Sequence, residues 1–101
     1  MKRGEAMSKI DEYIKNRSQK SSEFVKEYQE ENQRLQVAVA VRTLRSKLGM
    51  TQREFASLVG KPQSTIARIE SGKMNVSINV LTEIAVATNQ KLTVAFNPIT
   101  A

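Results

Sequence analysis

Cysteine and histidine are both absent from the 101 residues, and tryptophan is absent as well. Without thiols or imidazoles, the chain has no disulfide, no Cys/His zinc site, no thiol nucleophile and no imidazole acid-base catalyst. Serines and carboxylates remain, but no nucleophile-elbow or phosphate-loop pattern surrounds them. We therefore expect no enzyme, no catalytic or metal-binding residues, and no cofactor.

Long apolar runs are also missing, and acidic residues are few. No run approaches the roughly 20 residues that span a bilayer, and the first ten residues lack an apolar signal core, so we expect a cytoplasmic protein without a membrane segment. Residues 35–101 hold 8 basic and 3 acidic residues, whereas residues 1–34 hold 8 and 7. The positive excess therefore lies in residues 35–101, and it favours a nucleic-acid partner.

Residues 51–60 have the pattern of a short, well-capped helix. Thr51 and Glu54 stand at the spacing of a capping box, in which each side chain accepts a hydrogen bond from the other residue's backbone N–H. Gly60 predicts the end of the helix, because glycine enters the left-handed conformation without steric cost. The expected inward stripe contains Phe55, Leu58 and Val59.

A second short helix is predicted after Lys61 and Pro62, since proline is tolerated in a first helical turn. Ile66 and Ile69 would face inward. The opposite face is polar, carries one charge and contains Gln63, Ser64, Ala67 and Arg68. Two short helices joined by a tight turn form a helix-turn-helix, whose second helix reads the major groove. A helical hairpin within a bundle is the alternative.

The joint spacing of these residues resembles the Cro/repressor (XRE) family. The matching pattern comprises Thr51, Gln52, Glu54, Phe55, Ala56, Gly60, Gln63, Ser64, Ile66, Glu70, Ser71 and Gly72. Lys61-Pro62 and Val76 depart from it, because small capping residues and proline are usual at those positions. The resemblance implies a lambda-repressor-like fold and a structural ion pair between Arg45 and Glu70. Two unrelated surface charges are the alternative for that pair.

The same pattern assigns the DNA contacts. Amide and guanidinium groups can bond base edges bidentately, so we expect Gln63, Ser64 and Arg68 to contact bases, with Thr65 and Lys61 nearby. Gln52, Lys73 and Asn75 are expected to contact phosphates. The DNA would be a palindromic operator bound by a homodimer.

The rest of the chain gives weaker signals. Ser8 is predicted to cap a short helix, and the serine-rich residues 16–22 are interpreted as a connection. Residues 22–48 predict one long helix, or two with a bend near Asn32. Ser77 should cap a further helix, whose surplus apolar residues Val80, Val86 and Ala87 indicate either a dimer contact or a broad core face. Residues 91–96 alternate as a strand does, and such a strand needs a partner outside the helical domain. The partner could be the same strand of a second subunit, which we favour, a strand of a different protein, or part of the N-terminus.

We therefore predict a mainly α fold. A five-helix, lambda-repressor-like helix-turn-helix domain with a short C-terminal β-strand would occupy residues 35–101, after an N-terminal helical extension at residues 1–34.

Across nearly the whole chain, this order of segments resembles the HigA-type antitoxins, which bind a ribonuclease toxin and their own operator. The resemblance implies a toxin-antitoxin function, with autorepression. Residues 23–31 are locally acidic and would suit a basic toxin; a solvated charged face is the alternative. The residues assigned to the toxin are Ile10, Tyr13, Phe24, Glu27, Tyr28 and Glu31. A stand-alone regulator without a toxin, and a helical adaptor that binds no DNA, are the competing functions.

Overall fold

Four α-helices make up the regular structure of the residues described. The computed structural model describes the backbone of residues 5–98 and the side chains of residues 22–98. The helices are α1 (Glu5–Lys47), α2 (Gln52–Val59), α3 (Gln63–Glu70) and α4 (Ile78–Ala87). The mainly α prediction is confirmed, but the five-helix count is wrong for this part of the chain.

Helix α1 is a single element of 43 residues. The predicted connection at residues 16–22 is absent, and Ser8 lies inside the helix instead of capping it. Of the two alternatives for residues 22–48, the single long helix is the one observed, since no break in the helix occurs at Asn32. No glycine or proline occurs between Glu5 and Leu48. Serine and asparagine disfavour a helix by only about 0.5 kcal/mol each, which is too little to stop a helix that is already formed.

The chain divides into two units, of which residues 31–93 are the larger. In this unit α2 packs against α3 and α4. Its core consists of buried aliphatic side chains around Phe55, which is completely buried. The other members are Val41, Ala56, Val59, Ile66, Ile69 and Ile84. Leu58, predicted to face the core, is 42% exposed, because Phe55, Ala56 and Val59 already form the inward stripe of α2.

Helix α4 begins at the predicted cap, where the Val80 N–H donates to the Ser77 hydroxyl at 3.2 Å. Val80 and Ala87 pack against the core, so they contribute to a broad core face. Val86 is 73% exposed. Of the two interpretations of these three residues, the core face accounts for Val80 and Ala87 but not for Val86.

The other unit contains α1 up to residue 30 and the residues from 94 onward. The predicted C-terminal strand is not formed: residues 91–98 have no regular secondary structure, and residues 5–98 contain no strand. Val94 and Phe96 have the predicted alternating pattern but are 66% and 102% exposed. A strand requires a second strand to bond its N–H and C=O groups, and the described chain provides none.

Candidate nucleic-acid interface

Helices α2 and α3 are joined by a tight turn of defined geometry. The Glu54 N–H donates to the Thr51 hydroxyl at 3.1 Å, and the Thr51 N–H donates to the Glu54 carboxylate at 2.9 Å. Gly60 has φ +72°, and the Lys61 N–H donates to the Ala56 carbonyl at 3.0 Å, which closes the end of α2. Pro62 follows as the N-cap of α3 without a side-chain cap. These local bonds fix the angle at which α3 leaves the turn.

Helix α3 has one buried and one exposed face. Ile66 and Ile69 are 0% and 1% exposed. Gln63, Ser64 and Arg68 are exposed, while Thr65 and Ala67 are half-buried. One amide, one hydroxyl and one guanidinium are therefore exposed on a helix of eight residues.

The end of α3 is anchored by the carboxylate of Glu70, which is only 4% exposed. Arg45 of α1 donates to both of its oxygens, from Nε at 2.7 Å and from Nη2 at 2.9 Å. Gln52 of α2 donates to the same carboxylate through Nε2 at 3.0 Å. One buried carboxylate thus connects three helices. The Arg45–Glu70 ion pair expected from the sequence is formed.

Two further bonds extend this Glu70 anchor. Arg45 also donates from Nη1 to the Met50 carbonyl at 3.0 Å, which connects α1 to the turn before α2. Arg42 donates from Nη2 to the main-chain carbonyl of Glu70 at 2.7 Å. Carbonyls in the last turn of a helix lack helical partners, so Arg42 satisfies one of them. The sequence analysis missed Arg42, because an exposed arginine 28 residues from its partner has no local signature.

Burial by itself would raise the pKa of Glu70. Hydrogen bonds from Arg45 and Gln52, together with the charges of Arg45 and Arg42, outweigh burial and bring the pKa below its ordinary value of 4.5. The hydrogen bond to Glu70 likewise raises the pKa of Arg45 despite burial. The pair is therefore held in its charged form.

Among the expected phosphate ligands, Gln52 is half-buried, and one of its amide hydrogens is already donated to Glu70. Lys61, expected near the base contacts, forms an ion pair with Glu83 of α4. Asn75 accepts a hydrogen bond from Arg34 of α1 at 3.0 Å. Lys73 is exposed and belongs to none of the ion pairs found among residues 22–98.

The residues assigned to a toxin lie on α1. Phe24 and Tyr28 are 41% and 65% exposed, and Glu27 is exposed beside them. Glu31 is exposed at the start of the larger unit. The side chains of Ile10 and Tyr13 lie outside the described residues.

The described side chains contain no group of three or more acidic residues placed to hold a metal ion. In the same part of the chain, no helix is long and apolar enough to cross a bilayer.

The family match covers α2, α3 and α4. The helix-turn-helix family model matches residues 41–94, just over half of the chain. An uncharacterized HTH-type transcriptional regulator from Archaeoglobus fulgidus is 40% identical over 52 residues, which cover 52% of this chain and 74% of the relative. No solved structure matches.

Replacement of Glu70 by glutamine tests the anchor through its pH dependence. At neutral pH, Glu70→Gln should lower the free energy of unfolding by about 1–3 kcal/mol, because the half-buried guanidinium of Arg45 loses its anionic partner. The pKa of Glu70 is lower in the folded chain than in the unfolded chain, so the stabilisation is present above about pH 4.5 and is lost as the pH falls through the folded pKa. Urea unfolding at a series of pH values measures both effects.

The difference between the wild-type chain and Glu70→Gln should therefore shrink below about pH 4.5. A difference that stays constant down to the acid transition would contradict the charged anchor.

Proposed function

The chain belongs to the XRE-type helix-turn-helix family, and we propose that it regulates transcription by placing α3 in the major groove of a specific operator. The observation that carries the proposal is the exposed row of Gln63, Ser64 and Arg68 on a helix whose end is anchored by Glu70. These side chains can recognise bases. Arginine bonds guanine bidentately, glutamine bonds adenine in the same way, and serine bonds either base.

Phosphate contacts would position α3 in the groove. Lys73 lies in the loop after α3, and Gln52 begins α2, so both are adjacent in sequence to the ends of the two motif helices. Gln52 keeps a second amide hydrogen besides the one it donates to Glu70. Contacts of this kind fix orientation and supply salt-dependent affinity without sequence preference.

We further propose that the regulator binds as a homodimer. One helix of eight residues offers few base contacts, and operators are commonly read by two such helices about 34 Å apart. An open apolar groove of about 480 Å³ lies between α1 and α4. Its apolar lining includes Val41, Leu44, Leu48, Leu81, Ile84 and Leu92. A second copy of the chain would cover this groove.

An antitoxin role is the more specific proposal, and exposed residues of α1 support it. Tyr28 and Phe24 expose aromatic surface one helical turn apart, and the carboxylate of Glu27 is exposed beside them. An aromatic and acidic helix face is complementary to a basic partner such as a ribonuclease. In this role the chain neutralises the toxin and represses its own operon. Without a toxin, it remains a stand-alone regulator.

Base recognition is tested by truncating the exposed side chains of α3. Gln63→Ala and Arg68→Ala should each weaken operator binding by about 1–3 kcal/mol and relax preference at one base pair, because a bidentate contact is lost. Lys73→Ala should weaken binding to all duplexes alike. Titration of the duplex upstream of the gene, and of single-base variants of it, measures both.

Gln29→Ala is the matched amide control. Gln29 is exposed on α1 and lies outside both α3 and the α1–α4 groove, and its loss should leave affinity unchanged. If the α3 variants bound as tightly and as selectively as the wild-type chain, the base contacts would be wrongly assigned.

Leu48→Glu tests the dimer. Leu48 lines the groove and is 39% exposed, whereas Leu58 of α2 is 42% exposed and lies outside the groove. Leu48→Glu should weaken self-association by about a hundredfold, because burial of an unpaired charge costs several kcal/mol. Leu58→Glu should not. A dimer that sediments unchanged with Leu48→Glu would exclude this groove as the contact.

The antitoxin role is tested by combining Tyr28→Ala with Glu27→Lys. Capture of the ribonuclease encoded beside the gene should fall at least about tenfold, since both an aromatic contact and a favourable charge are lost. Operator binding should not change. Gln29→Ala, an exposed neighbour on the same helix, is the control. If the wild-type chain captures no neighbouring ribonuclease yet binds DNA, the stand-alone regulator is the correct function.

A further inference from the structure

The loop between α3 and α4 is held against α1 at two adjacent points. Gly72 lies so close to Leu35 that a Cβ atom on Gly72 would be 2.9 Å from the Leu35 Cδ2 atom. Three residues further on, Arg34 donates from Nη1 to the Asn75 Oδ1 atom at 3.0 Å. Lys73 lies between these two contacts in the sequence. The loop that follows the reading helix is therefore positioned by the turn of α1 that contains Arg34 and Leu35.

The charge of Arg34 is not balanced by a carboxylate. The ion pairs among residues 22–98 are Lys26–Glu30, Arg45–Glu70 and Lys61–Glu83, and none of them includes Arg34. The side chain is half-buried and bonds a neutral amide. A guanidinium with unused N–H groups is well suited to bind an anion bidentately.

The bond also fixes the orientation of the Asn75 amide. A guanidinium has five donors and no acceptor, so Asn75 must present its oxygen to Arg34. The NH₂ group of Asn75 then points away from Arg34 and can donate to another partner. Asn75 is exposed, and Lys73, which is also exposed, adds a second positive charge to the same loop.

We propose that Arg34, with the Asn75 amide that it orients, binds a phosphate of the DNA backbone beside the groove occupied by α3. This inference rests on the proposed DNA-binding function and adds α1 to the interface. Arg34 has two roles: its guanidinium contacts the phosphate, and its hydrogen bond directs the Asn75 NH₂ toward the same anion. Lys73 provides further attraction from the loop.

Arg34→Gln removes the charge of this side chain. Glutamine keeps amide N–H donors on a shorter side chain but is neutral, so the salt dependence of binding measures the lost phosphate contact. The logarithm of the binding constant falls with the logarithm of salt concentration with a slope of about 0.9 per phosphate contact. We expect Arg34→Gln to reduce this slope by about 0.9, with the operator duplex and equally with a random duplex of the same length. Lys26→Gln is the charge-matched control, because Lys26 is exposed on α1 and is assigned neither to the DNA nor to the dimer contact, and its slope should equal that of the wild-type chain.

Asn75→Asp tests the amide. Aspartate keeps an oxygen for Arg34 but loses the NH₂ donor and faces the phosphate with a negative charge. Affinity for both duplexes should fall at least about tenfold, with the thermal midpoint of the free chain unchanged, since the new ion pair replaces the old bond.

The outcomes distinguish this inference from the function on which it rests. If the wild-type chain binds neither duplex at low salt, the DNA-binding function fails, and the inference fails with it. If the wild-type chain binds but Arg34→Gln keeps the wild-type salt slope, Arg34 only supports the loop and the inference alone is overturned. An Asn75→Asp variant that binds as tightly as the wild-type chain would also overturn it.

Discussion

The buried carboxylate of Glu70 fixes the position of the exposed helix face. It ends α3 and receives hydrogen bonds from Arg45 of α1 and Gln52 of α2, while Arg45 also contacts the turn before α2. The net stability from such a pair is small, because desolvation of both charges offsets most of their attraction. Its importance is geometric. A bidentate guanidinium accepts one orientation of the carboxylate, and that orientation fixes the rotation of α3 relative to both helices.

Helix α3 needs this support because it is not stable by itself. Eight residues are fewer than the roughly 12–15 at which an isolated helix becomes even marginal in water. Pro62 gives it no side-chain cap, and at the other end Arg42 bonds the Glu70 carbonyl. The helix is therefore held by Ile66 and Ile69 in the core and by arginines of α1 at its end. The reading face exists only when the surrounding domain is folded.

Features that depend on neighbouring residues were predictable from the sequence. The Thr51–Glu54 capping box, the left-handed Gly60 and the Ser77 cap each depend on residues within one helical turn, and all three are present. The predictions failed where structure depends on cooperative helix formation or on residues far away in the sequence. Each serine of residues 16–22 disfavours a helix slightly, but together they did not interrupt α1. The alternation of residues 91–96 did not produce a strand, because the described chain offers no second strand to pair with it. The bond between Arg34 and Asn75 spans 41 residues and has no local signature.

Two of the three side chains assigned to phosphates are already bonded within the protein, whereas those assigned to bases are exposed. Gln52 and Asn75 bond Glu70 and Arg34, while Lys73 is exposed and in none of the ion pairs among residues 22–98. Gln63 and Arg68 are exposed on α3. If a duplex lies against α3 as proposed, the two bonded side chains lose little rotamer freedom on binding and can hold the backbone in one register. The exposed side chains of α3 lose rotamer freedom when they bind bases. Hydrogen bonds to the correct bases must offset this loss of entropy. Selectivity for the base sequence then depends on the side chains of α3. The position of the domain on the DNA backbone depends on the side chains that the protein already holds in place.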